Sequence, residues 1–144
     1  MKRRYVIAVA LFISSGLLST AIAQEARPIK AFQPKTKEEI AIVSMVTEHE
    51  KSERIPAIIT SLVVSDSYGL YSWVVGETGG QTIVAKQQET WRIMRGTGGR
   101  IDAELLQRWG VPIAIAQDLI QKMDIQTKAN HQGEQRWNAF LKGL

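Results

Sequence analysis

Cysteine is absent from the 144 residues. Its absence excludes disulfides, thiol nucleophiles, thiolate-bound metals and thiol redox chemistry together, so any fold here is held by burial alone. Histidine is scarce: His49 and His131 only, with no His-x-His run. No Gly-x-Ser-x-Gly elbow occurs, and no glycine loop ending in Lys-Ser/Thr. The sequence patterns that announce a serine hydrolase or a nucleotide-phosphate loop are therefore missing. Proline appears four times, and its positions (28, 34, 56 and 112) punctuate rather than fill segments. There is no internal repeat, and beyond the N-terminus no apolar run near the roughly 20 residues that span a bilayer.

What is present begins with an address. Met1-Lys2-Arg3-Arg4 is basic, Tyr5 to Ile13 is apolar, and Ala21-Ile22-Ala23 places small residues where a signal peptidase reads. This three-part pattern predicts a signal peptide over 1–23, cleaved after Ala23, and export to the periplasm or beyond. The apolar run is too short for a membrane anchor, so no transmembrane segment is expected after cleavage. The whole chain carries 18 Lys and Arg against 14 Asp and Glu; the signal holds three of the bases and no acid, which leaves 15 against 14, or +1. The pI of about 9.5 is thus mostly a property of the leader. Nucleic acid is not an expected partner, since its phosphates need many cations.

The organisation that follows is a flexible leader over 24–35 and one domain over 36–144. Thr36-Lys37-Glu38-Glu39 forms a capping box. Ile40, Val43, Val46 and Thr47 recur at helical spacing, with Ile42 and Met45 widening the stripe, which predicts a helix from about Lys37 to Lys51. Four strands come next: Ile58–Val64, Tyr68–Val75, Thr82–Lys86 and Trp91–Arg95. Ser65-Asp66-Ser67, Gly76 to Gly80 and Gln87-Gln88-Glu89 connect them, links too short for parallel crossovers. Asp102 caps a short helix to about Trp109, closed by Gly110. Ile113, Ala116, Leu119, Ile120 and Met123 mark a further helix, and a last one is expected from about Lys128 to Leu141, with Trp137, Phe140 and Leu141 on one stripe. The fold class is α+β: an N-terminal helix, a four-stranded antiparallel β-meander, and two or three C-terminal helices. The sheet face bearing Trp73 and Trp91 is expected to pack on the first helix.

Five features bear on function. Gly96-Thr97-Gly98-Gly99-Arg100 offers backbone amides and a cation before a helix start, so Gly96, Gly98, Gly99 and Arg100 form a candidate anion or ligand loop. A sharp exit from the sheet accounts for the same glycines and is favoured. Glu77, alone at a tight turn, reads as exposed. Met45 and His49 lie four apart on the first helix and are candidate copper ligands, although a methionine on an apolar stripe is ordinarily core. No residue is put forward as catalytic or cofactor-binding: serines and histidines give no constellation. Finally Arg92, Arg95, Arg100 and Arg108 fall within 17 residues. Strict alternation sends Arg92 and Arg95 to opposite sheet faces, and a solvated edge that resists strand association is favoured over an acidic partner or lipid surface.

The segment Val64 to Gly80, with Trp73 before Gly76-Glu77-Thr78-Gly79-Gly80, then Trp91, Gly98-Gly99 and Gly110-Val111-Pro112, resembles small exported bacterial proteins of the copper-uptake-system-associated kind. The resemblance covers about Ile58 to Met123 and implies the same fold and an accessory role near copper uptake. Members place a cysteine near the end of the fourth strand, where this chain has Met94-Arg95. The shared residues are structural, so no ligand is carried over. The combined expectation is an exported, non-enzymatic accessory or binding protein for an unknown protein or small molecule. The alternatives are a cavity-forming binding protein or enzyme, with Tyr71, Glu77 or His49 converging in a pocket, and a copper-handling accessory.

Overall fold

The computed structural model describes residues 29–143, apart from a few side chains near the C-terminus. The expected signal over 1–23 and the start of the expected leader lie outside the described residues, as do the side chains of Trp137 and Leu141. The elements in chain order are α1 (Lys37–Glu50), β1 (Ile58–Ser65), β2 (Tyr68–Val75), β3 (Thr78–Gln87), β4 (Thr90–Gly98), α2 (Ala103–Arg108) and α3 (Ile113–Lys142). The strands form one antiparallel sheet in the order β1-β2-β3-β4, so the α+β meander is as expected.

The capping box sets the start of α1: Thr36 Oγ1 accepts from the Glu39 amide at 3.1 Å, and the Glu39 carboxylate accepts from the Thr36 amide at 3.1 Å. The buried face is Ile42 and Val46, not the stripe through Ile40 and Thr47. Ile40 is half exposed. Two overlapping stripes were available, and the sheet selects one: a Cβ at Gly69 would lie 2.9 Å from Ile42 Cδ1. The glycine leaves a dimple that Ile42 fills. The expected flexible leader is also tied down at its end, where the Phe32 amide donates to the Ile59 carbonyl at 2.7 Å and the ring packs against the buried cluster that includes Ile42.

Both faces of the sheet are covered. On one side Ile42 and Val46 of α1 meet Ile59, Leu62, Tyr71, Val84 and Trp91, with Trp73 packed beside them. On the other, Val63, Leu70 and Ile83 meet Leu106 of α2 and Ala116, Leu119 and Met123 of α3. Adjacent residues such as Leu70 and Tyr71 therefore belong to different cores, as strand alternation requires. Each fully buried aliphatic side chain contributes about 1.5–3 kcal/mol.

Two boundaries differ from expectation. Gly79 and Gly80 belong to β3, and the hairpin is Gly76-Glu77 alone. Gly80 lies beneath the Trp73 ring, whose Nε1 donates to Thr82 Oγ1 at 3.1 Å. The last two expected helices are one 30-residue helix, α3, because nothing between Met123 and Lys128 breaks it and Gly133 does not interrupt it. Among the described residues no helix is long and apolar enough to cross a membrane.

α3 also closes one sheet edge. The Gln126 carboxamide accepts from the Leu62 amide at 2.8 Å and donates to the Leu62 carbonyl at 3.2 Å, while Lys122 Nζ donates to the Val64 carbonyl at 3.0 Å. Side chains of a helix thus satisfy the outward backbone groups of β1. Among the described residues no further strand pairs with the opposite edge, β4.

Candidate functional site

β4 departs from regular alternation. Ala85 faces Arg92 and Val84 faces Ile93, but the next pair is Ile83 with Arg95, so Met94 is an extra residue. Such a bulge re-aims the side chains beyond it. Ala85 and Ile83 share one face of β3, and their partners Arg92 and Arg95 consequently share that face too. The sequence expectation that these arginines point to opposite faces is corrected here; the bulge is the reason.

α2 supplies the opposing wall. Asp102 Oδ1 accepts from the Leu105 amide at 2.7 Å and starts the helix, Trp109 ends it, and Gly110 turns the chain at φ +95°. The Val111 amide donates back to the Leu106 carbonyl at 3.0 Å, fixing the end of α2. Trp109 is thereby held half-buried, with the Arg95 guanidinium 5.6 Å from its ring centroid. That distance is within cation–π range. Arg108, in the last turn of α2, lies beside them.

The result is an open cleft of about 420 Å³ between β4 and α2, lined by Ala85, Arg92, Met94, Arg95, Arg108 and Trp109. Among the described residues, none of the three arginines forms an ion pair. Of the acids nearest in sequence, Glu89 pairs with Lys86, Asp102 caps α2, and Glu104, one turn before Arg108 on α2, forms no ion pair among the described residues. All three arginines are exposed, so solvent and salt screen their like charges, and the cleft is open to an anion from outside. Guanidinium forks match carboxylate and phosphate geometry, so the side chains the cleft presents are of the kind that suits an oxyanion.

The fourth arginine of the group is elsewhere. Arg100 pairs with Asp124 of α3. Its neighbours Gly96 and Gly98 are not in a loop: they pair in β4 with Thr82 and Gly80. The Gly99 amide donates to the Gly79 carbonyl at 3.1 Å, and Gly99 turns the chain at φ +110°. The candidate ligand loop is therefore largely strand: Gly96 and Gly98 pair in β4, and Gly99 is bonded to Gly79.

Met45 packs at the margin of the α1-side core, and His49 is exposed in the last turn of α1. Among the described residues no group of three or more His, Asp or Glu is placed to hold a metal ion. Tyr71 is buried, and its burial raises its phenol pKa above the usual value, partly offset by a hydrogen bond with Thr82. Glu77 is exposed at the hairpin tip. Neither these two nor His49 lines the β4–α2 cleft. The α1 side of the sheet is closed: Trp91 Nε1 donates to Glu38 Oε2 at 2.7 Å, and Lys86 Nζ donates to Glu38 Oε1 at 3.0 Å.

Trp109 was not singled out by sequence reasoning, and neither was the convergence of Arg92, Arg95 and Arg108. One signal was available: Trp91 and Ile93 alternate, and Met94 then adds an apolar residue out of phase. Comparisons with protein-family models, with curated proteins and with solved structures find no match.

Proposed function

We propose that this chain is an exported binding protein that holds an anionic ligand in the cleft between β4 and α2 without transforming it. The observation that carries the reading is the convergence of Arg92, Arg95 and Arg108 on one cleft with no carboxylate partner among the described residues. Arg100 and Lys86, by contrast, are ion-paired. Export is supported by the basic start, the apolar run and Ala21-Ile22-Ala23.

The test has two parts. Full-length chain expressed in a Gram-negative host is fractionated and weighed by mass spectrometry. A periplasmic product beginning at Gln24 is expected; a cytoplasmic product retaining Met1 sinks the export half. The recovered protein is then melted against a panel of carboxylate and phosphate compounds. A ligand present at one hundred times its Kd stabilises by about 2.7 kcal/mol, and its recovery unchanged afterwards is expected. Conversion of the ligand into a product refutes the non-enzymatic half.

A further inference from the structure

Resting on that reading, we infer that the ligand is a small amphiphilic oxyanion: an apolar, ring-sized body carrying two or more carboxylate or phosphate oxygens. The lining divides by chemistry. Arg92, Arg95 and Arg108 supply the cations, whereas Ala85, Met94 and Trp109 supply an apolar wall. A purely ionic ligand such as a bare polyphosphate makes no use of that wall. A ligand that covers it gains the transfer energy of its buried apolar surface in addition to the ionic contacts.

Arg95 is the pivot. Its guanidinium lies over the Trp109 ring, a cation–π contact that restricts the fork before any ligand arrives. A fork held in place loses less side-chain freedom on binding than a free arginine does, so its bidentate contact is stronger. The bulge at Met94 contributes twice: it brings Arg95 to the same face as Arg92, and it leaves Met94 at the cleft as an adaptable apolar contact.

The cleft's size favours a small molecule over an extended peptide. About 420 Å³ falls within the range of small-ligand sites. A peptide adding as a fifth strand would have to pair along β4, and the bulge interrupts that edge near its middle.

Isothermal titration calorimetry of the purified chain at low salt decides the matter with five probes. Benzene-1,3,5-tricarboxylate and 1-naphthyl phosphate carry a ring and anionic oxygens; citrate and inorganic pyrophosphate carry the charge without the ring; hexaglutamate stands for an acidic protein segment. A ringed probe is expected to bind at least tenfold more tightly than either ringless anion and than hexaglutamate, and the better of the two ringed probes tells carboxylate from phosphate. Arg92→Ala and Arg108→Ala are each expected to weaken that probe at least tenfold, about 1.4 kcal/mol, with the ligand-free melting temperature unchanged. Arg100→Ala, whose partner is Asp124, is the control and leaves affinity unchanged. Equal binding of ringed and ringless anions, or tightest binding of hexaglutamate, overturns the ligand class while the anion-binding reading stands. Binding of none of the five, or arginine variants that bind like the parent, overturns both.

Discussion

At the scale of single residues, glycine sets the closest packing. Gly69 admits Ile42, and Gly80 admits the Trp73 ring. A Cβ at Gly80 would meet the Thr97 carbonyl oxygen across the ladder and come within 2.5 Å of Trp73 Cζ2. Neither neighbour can retreat: the carbonyl is backbone of the paired strand, and the indole is fixed by its bond to Thr82. Gly80→Ala is therefore expected to cost about 3 kcal/mol, at the upper end of overpacking penalties, as read by urea unfolding; a loss below about 1 kcal/mol would show that strand and ring can give way. The run Gly76 to Gly80 reads as one turn in the sequence because glycine serves both turns and close contacts. Only the ring above Gly80 separates the two uses.

At the scale of elements, the sheet treats its two edges differently. β1 is covered by α3 through the side chains of Gln126 and Lys122, whereas among the described residues no further strand pairs with β4, beside the arginine cleft. Gln126→Ala removes both partners of the Leu62 backbone at once. We expect a loss of about 1–3 kcal/mol, the cost of leaving partly buried groups unsatisfied, and faster amide exchange at Leu62 than at Leu70. Unchanged exchange at Leu62 would refute the edge-covering role. Periodicity anticipated the stripe Ala116, Leu119 and Met123 on α3, since burial at i, i+3 and i+7 is a local signal. It gave no hint that polar Gln126 would act as a substitute strand. A glutamine on a helix looks the same in sequence whether it meets water or a sheet edge.

At the scale of the whole molecule, α1 is fastened over the sheet by Glu38, which accepts from Lys86 and from Trp91. The Lys86 bond, and then the Trp91 bond, hold the Glu38 carboxyl below the usual carboxylate range. Asp118 is lowered in the same way, by Lys122 and then Ser65. A carboxylate with a depressed folded-state pKa stabilises above its unfolded pKa of about 4.3 for Glu, and that stability is lost as pH falls through the folded value. Thermal melts from pH 7 to pH 2 are thus expected to show a steeper acid decline for the parent than for Glu38→Gln. The variant should be less stable near pH 7 and converge with the parent in acid; parallel profiles would show that the Glu38 contacts add nothing.

The sequence alone determined the order of the elements, the antiparallel meander and the capping of α1 and α2, because short links, strand composition and caps are local and act before any tertiary contact forms. It also placed four arginines close together along the chain. Only the tertiary structure decided which stripe of α1 is buried, that two expected helices are one, and that Arg92, Arg95 and Arg108 share a cleft while Arg100 is paired away. Those outcomes depend on contacts between distant segments: the Gly69 dimple, the register of β3 against β4 and the reach of α3. A single extra residue at Met94, invisible to composition, brings arginines that strict alternation would separate onto one face of the sheet.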